Sequence, residues 1–384
     1  MMKKVLLIPD SFKGTMSSSE ICSIMEERIH AYCPSAEVIS IPVADGGEGS
    51  VDSFLSAMQG EKVWVTVKGP YMEDLQAFYG LVDGGATAVI EMAACAGLPL
   101  VGDRLCAEKT TTYGVGQLME HAIRSGCKKL VVGLGGSATN DLGTGAAAAL
   151  GVRFLDADGN SFVPVGETLS KIHRIDKSSL LPELKQVKII TMCDIDNPLY
   201  GPNGAAYVFA PQKGADPAMV EFLDRQLHAA ADTIREQFDV DVAQLPGAGA
   251  AGGMGGGMVA FFGSRLQMGI ETVLDTVGFD RLLEGADLVF SGEGKIDFQS
   301  LRGKVVIGVA RRTKKQGVPL IAVVGDIGDD IEGAYEEGVS AIFSINRVAV
   351  PFSEAKKRSK NDMSLTMDNL MRFITQIFKD SSNS

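Results

Sequence analysis

Residues 4–15 read KVLLIPDSFKGT, a short run with four apolar residues in its first five that breaks at Pro9-Asp10 into hydroxyl, glycine and charged positions. An apolar run of this length closed by a turn is the pattern of a strand buried on both faces of a parallel sheet. The residues that follow extend the pattern. A helical stretch begins near Ser18, a second apolar run spans Glu37 to Val43, a helix starts at about Glu48, and Lys62 to Val67 makes a third run. The order is β-α-β-α-β, which predicts an α/β fold with a parallel sheet. From Asp287 the rhythm returns: a strand to Ser291, a helix from Gly303 to Lys315, a strand from Pro319 to Val324, a short helix near Glu332, a strand from Ala341 to Ile345 and a last helix from about Asp362.

The middle of the chain has another texture. Ala77 to Met92 reads as two strands around Asp83-Gly84-Gly85, and Val152 to Phe162 repeats that hairpin style around Asp156 to Asn160. Helices are predicted at Thr111 to Ser125, Gly143 to Leu150 and Ala218 to Phe238, and strands at Lys129 to Gly133, Val187 to Met192 and Ala206 to Phe209. The middle is therefore expected to be inserted into the outer α/β domain, with residues 1–68 and 286–384 outside and 69–285 inside. Neither crossing is a low-complexity linker, so the two domains are expected to face one another across a cleft that holds the active site.

Composition narrows the function. The chain has 384 residues, a net charge of −12, 45% apolar and 22% charged residues, a globular balance that disfavours a nucleic-acid or anionic-membrane partner. The longest uncharged stretch, 242–264, contains eight glycines between Pro246 and Gly263 and reads as a loop instead of a membrane span. Val5 to Ile8 is too short for a signal-peptide core, so a cytoplasmic protein is expected. The six cysteines form no C-x-x-C pair and read as reduced, mostly buried thiols.

Several turns carry candidate chemistry. Gly133-Leu-Gly-Gly-Ser-Ala-Thr-Asn-Asp141 follows a strand and precedes an Ala-rich helix, where free amides and glycines suit a phosphate. Ser137, Thr139 and Asn140 add donors, and Asp141 is a candidate magnesium ligand; the plain alternative is a tight turn with an Asn or Asp cap. Pro9 to Thr15 and Ala44 to Gly49 each follow a strand's carboxyl end, where open α/β sheets bind ligands. They offer Lys13 for an anion and Asp45 and Glu48 for a proton or metal. Of Asp194 and Asp196 one is expected to function, because a continuing strand would aim them to opposite faces. Lys213 is a second candidate cation, and Gly247 to Gly257, with seven glycines in eleven residues, either wraps a ligand or passes between packed elements. Neither G-x-x-x-x-G-K-[ST] nor G-x-G-x-x-G occurs, and the four histidines lie outside these turns, so any general base is expected to be a carboxylate. The basic cluster Arg311 to Lys315 reads as solvated.

Taken in order, DSFKGTMSS (10–18), PVADGGEG (42–49), GLGGSATND (133–141), CDIDNPLYGPNGAA (193–206), APQKGA (210–215), PGAGAAGG (246–253) and SGEGKID (291–297) resemble the bacterial glycerate kinase type I family, from Lys4 to about Val324. The resemblance implies a Rossmann-like domain interrupted by a flavodoxin-like one. It also implies ATP and magnesium, and phosphorylation of D-glycerate on its 2-hydroxyl to 2-phosphoglycerate. On that basis Ser11, Lys13, Asp45 and Glu48 are expected to bind glycerate, and Gly135, Gly136, Ser137 and Asn140 the ATP phosphates. Asp194 is expected as base or magnesium ligand, with Lys213 and Lys295 steadying the transferred phosphate. Alternatives are another small-molecule kinase, a 3-phosphoglycerate product, or a non-enzymatic sugar-acid sensor, as a monomer or homodimer. Leu142 and Phe298 stand where the family commonly has glycine.

Overall fold

The computed structural model describes residues 2–43, 49–298 and 300–380. The chain falls into two units, Met1–Asp45 with Ile270–Ser384, and Gly46–Gly269. In the first unit, β1 (Lys4–Pro9) buries Val5, Leu6, Leu7 and Ile8 completely, as a central parallel strand must. The following helix, Ser18–Tyr32, starts at a capping box in which Ser17 and Glu20 satisfy each other's backbone amides. Its Ile21, Met25 and Ile29, four residues apart, supply the face that packs into the core. β2 (Glu37–Ser40) then pairs in parallel with β1.

The second unit holds a six-stranded sheet. β3 (Gly60–Lys68) and β4 (Asp74–Val82) pair antiparallel over nine residues, and a turn at Asp83–Gly85 leads into β5 (Thr87–Glu91). β6 (Lys129–Gly133) continues the sheet in parallel. A small antiparallel sheet follows, from β7 (Arg153–Leu155), β8 (Ser161–Phe162) and β9 (Arg174–Asp176). β10 (Lys188–Met192) and β11 (Arg265–Gln267) return to the large sheet, whose order is β11-β10-β6-β5-β4-β3.

Back in the first unit come β12 (Leu288–Gly292), β13 (Lys295–Ile296), β14 (Leu320–Val324), β15 (Asp326–Ile327) and β16 (Ala341–Ser344). The large sheet there runs β16-β14-β12-β1-β2, all parallel. Renumbered within the unit this is the order 2-1-3-4-5 of doubly wound sheets of the flavodoxin type, with its topological switch point between β1 and β12. The helix Phe352–Asp380 lies against Ser18–Tyr32, burying Met363, Met367 and Met371.

The α/β class with parallel sheets and antiparallel hairpins is as expected. Several finer expectations are corrected. The units divide at 45/46 and 269/270, not at 68/69 and 285/286, because β3 joins β4 in the inserted sheet instead of continuing the outer one. The flavodoxin strand order belongs to the outer unit, and the inserted sheet is mixed. Ala205–Phe209 is a helix and not a strand, since a five-residue apolar run satisfies either period. Within the glycine-rich stretch Met254–Phe262 is a helix, and the last helix begins ten residues before Asp362, at Phe352. Arg312 is not solvated: its side chain is 17% exposed and contacts Glu271, Asp275 and Asp280. All six cysteines are free, and no described helix is long and apolar enough to cross a membrane.

Candidate active site

Two groups of strand ends carry the predicted residues, one in each unit. In the second unit the register sets Glu91, Gly133 and Met192 level on β5, β6 and β10, with Gln267 of β11 beside Met192. The turn after Gly133 and the segment Cys193–Asp194 therefore leave the sheet from one edge. Gly136 is exposed with φ +74°, and Gly135 is half-buried; here the backbone is open to an anion.

Beyond Gly136 the loop turns inward. Asp141 is fully buried and both of its oxygens are engaged: Oδ2 accepts from the Thr112 amide and hydroxyl, each at 2.8 Å, and from the Gly145 amide, while Oδ1 accepts from the Gly143 amide. Burial pushes its pKa up, and these donors pull against that. Asp141 thus binds amides at the start of the short helix Thr144–Ala149 and holds it to residues 111–112; both oxygens of this candidate magnesium ligand are engaged by the protein's own donors, and these amides, expected to meet a phosphate, are turned to it.

Lys213 is also interior, 1% exposed, and its Nζ donates to the Ser137 hydroxyl at 2.8 Å and the Thr139 carbonyl at 2.6 Å. Burial brings its pKa down to about 7, with Asp141 opposing. It braces the loop from beneath. Asn140 is fully buried with neither Oδ1 nor Nδ2 paired, and Thr139 Oγ1 is likewise unpaired, a set of orphaned polar atoms that native interiors seldom keep without a ligand or water. The glycine run settles its two readings in favour of packing: a Cβ on Gly252 would overlap the Thr139 carbonyl oxygen, and one on Gly257 the Leu142 carbonyl oxygen.

Asp194 is exposed just past β10, with Oδ1 accepting from the Gly269 amide at 2.7 Å. A magnesium ion carried on phosphates needs only one or two protein carboxylates, so Asp194 fits that donor set, and no group of three or more His, Cys, Asp or Glu among the described residues forms a cage of its own. Glu91, level with Gly133, is buried and accepts from the Val51 amide at 2.6 Å, anchoring the start of the helix Ser50–Ala57. Burial raises its pKa against those amide bonds. Asp45 and Glu48 lie outside the described residues.

In the first unit the switch point is built from two turns. The Asp10 amide donates to Gly292 at 2.8 Å, and the Asp10 carboxylate accepts from the Ser11 amide at 2.6 Å. Ser11 is half-buried and Lys13 exposed in a loop closed by a Phe12–Met16 bridge. The turn after β12 lies alongside: a Cβ on Gly294 would come within 3.6 Å of the Lys13 amide nitrogen. Lys295 is 56% exposed and 3.8 Å from Asp297. Glu293, not singled out as a site residue from the sequence, is 4% exposed between them, and its proximity to Asp10 across the sheet carries no local sequence signal.

A sequence profile of the glycerate kinase family matches residues 5–375. A glycerate kinase from Bacillus cereus is 43% identical over 372 residues, 96% of this chain and 97% of that one, and Escherichia coli glycerate 2-kinase is 43% identical over 347 residues, 89% and 90% of the two chains. A crystal structure from Salmonella typhimurium LT2, provisionally assigned as glycerate kinase 2, superposes with a TM-score of 0.87 at 39% identity, covering 99% of this chain and 100% of that one. With the strand-end loops described above and this similarity along nearly its whole length, the chain belongs to the glycerate kinase family.

Proposed function

We propose that the protein transfers the γ-phosphoryl group of ATP to the 2-hydroxyl of D-glycerate, giving 2-phospho-D-glycerate and ADP. The observation that carries the reading is the shared register of Glu91, Gly133 and Met192, which brings the glycine-rich loop and Asp194 to one edge of a sheet. The 2-position is supported by similarity to the Escherichia coli protein named glycerate 2-kinase. Phosphoryl transfer asks mainly for positioning and charge neutralisation. Gly135 and Gly136 offer backbone amides to the ATP phosphates, and Ser137 and Asn140 offer side-chain donors, with Lys213 holding Ser137 in place. Asp194 is assigned to magnesium, which would neutralise phosphate charge when bound. Ser11 and Lys13 are assigned to glycerate together with Asp45 and Glu48, Lys13 meeting the carboxylate and Lys295 the transferred phosphoryl group.

The test is phosphorus NMR of the product formed from D-glycerate, ATP and magnesium. A 2-phosphoglycerate signal is expected; 3-phosphoglycerate would keep the kinase and overturn the position. Asp194→Asn is expected to lower kcat by roughly 10²-fold or more while moving the KM for glycerate only a few-fold. Near-normal turnover in that variant would remove Asp194 from the chemistry.

A further inference from the structure

Phosphorylating an alcohol requires a group to take its proton, and the assignments above leave that step without an owner. Asp194 is exposed and held by the Gly269 amide, which suits a fixed charge facing a cation. Glu293 differs in each respect. It is the first residue beyond β12, at the switch point where open α/β sheets receive their ligands. Its side chain is 4% exposed, and Oε1 is buried without a hydrogen-bond partner, although the residue is ionisable. A buried carboxylate oxygen with no donor is costly, and such groups are kept where a proton must be gained and released.

We propose that Glu293 is the proton acceptor for the substrate hydroxyl in this kinase. The proposal rests on the glycerate 2-kinase reading above and assigns a residue within it. In the step, the hydroxyl O–H bond breaks and its proton passes to Glu293 Oε1. The freed oxygen pair forms the new O–P bond to the γ-phosphorus, and the bridging P–O bond to ADP breaks with its electrons leaving on ADP. Glu293 then returns the proton to solvent.

The surroundings suit that role. Burial is the largest influence on the carboxyl group and raises its pKa to about 7, where a base is half-ionised near neutral pH. Asp10 from the turn after β1 and Asp297 from the turn after β13 raise it further by like charge, while the Ser300 hydroxyl and the Lys304 ammonium, both ahead of the helix Val305–Gln316, stabilise the ionised form. Ser11 and Lys13 leave the same switch point one strand away, so these two residues assigned to glycerate and its proton acceptor belong to one unit.

The experiment compares the intact enzyme with Glu293→Gln and Glu293→Asp by kcat and KM across pH, with glycerate binding measured separately by calorimetry without ATP. The unaltered enzyme should show an acid limb in kcat near pH ~7, and Glu293→Gln should lose that limb and at least about 100-fold in kcat while binding glycerate within about three-fold of normal. Glu293→Asp should regain part of the rate. A Glu293→Gln enzyme with kcat within about five-fold of normal, or one that keeps the limb, overturns the proposal, and so does a loss confined to glycerate binding. Should Glu293→Gln not fold, the unaltered enzyme decides: an acid limb near neutrality supports the role and a flat profile there overturns it. The phosphorus NMR assay on unaltered protein reports separately on the glycerate 2-kinase reading, so the two failures are told apart.

Discussion

At position 142 the structure places a leucine in the left-handed region, φ +56°, a conformation that favours glycine. The conformation is imposed by the Leu142 amide donating to the Gly252 carbonyl at 3.1 Å, while the fully buried side chain joins a core with Leu199 and Leu227. A left-handed leucine costs about 1–2 kcal/mol, and burying its side chain offsets that with about 2–5 kcal/mol. The balance yields an ordering that reverses the usual one. Leu142→Gly should be destabilised by about 1–3 kcal/mol, and Leu142→Ala by about 1 kcal/mol more, since alanine loses the side chain and keeps the strain. Urea unfolding of the two variants checks this, and an alanine variant more stable than the glycine one would refute the account of strain.

At the level of elements, Arg312 ties three helices together. Its guanidinium meets Glu271 at 2.5 Å, Asp275 at 2.7 Å and Asp280 at 2.7 Å, joining Val305–Gln316 to Gly269–Val277 and Phe279–Leu282. Arg312→Met leaves three carboxylates crowded, so a loss of about 1–3 kcal/mol is expected in dilute buffer, shrinking in molar salt as their repulsion is screened. Melting curves at two salt concentrations measure it; a salt-independent loss would point to packing instead. Elements also show what was legible in the sequence. Turn chemistry announced the hairpin at Asp83–Gly85, and uninterrupted apolar runs announced β1, β12 and β14. The partner of β3 was hidden, because a short apolar run does not say which sheet it joins. The helix Met254–Phe262 was hidden by its three consecutive glycines, which exist to let it approach Gly247 and Leu142 closely. Among site residues, Ser11, Lys13, Gly135 and Gly136 stood out as glycines and polar groups at strand ends. The inward turn of Asp141 and Lys213 depended on burial by distant segments, which no local pattern encodes.

Across the whole molecule, the two units carry titrations of opposite sign. Glu293 in the first has its pKa raised from 4.5 to about 7, so its contribution to stability is complete below 4.5 and is lost as pH rises through 7. Lys213 in the second has its pKa lowered from 10.5 to about 7, so its contribution is complete above 10.5 and is lost as pH falls through 7. Each amounts to a few kcal/mol at about 1.4 kcal/mol per pH unit. Calorimetry from acid to alkaline pH should therefore show Glu293→Gln flattening a decline between about pH 5 and 7, and Lys213→Met flattening a rise between about pH 7 and 10. Parallel pH trends for either variant and the unaltered protein would contradict the burial described. The division of the chain also bears on its synthesis. β1 and β2 leave the ribosome roughly 250 residues before β12, a wait on the order of 10–50 s at ordinary translation rates, while the contiguous Gly46–Gly269 unit can finish folding. For that interval the central strand of the first unit has no neighbour on its β12 side, and its apolar run Val5 to Ile8 is the part of the nascent protein most in need of a chaperone.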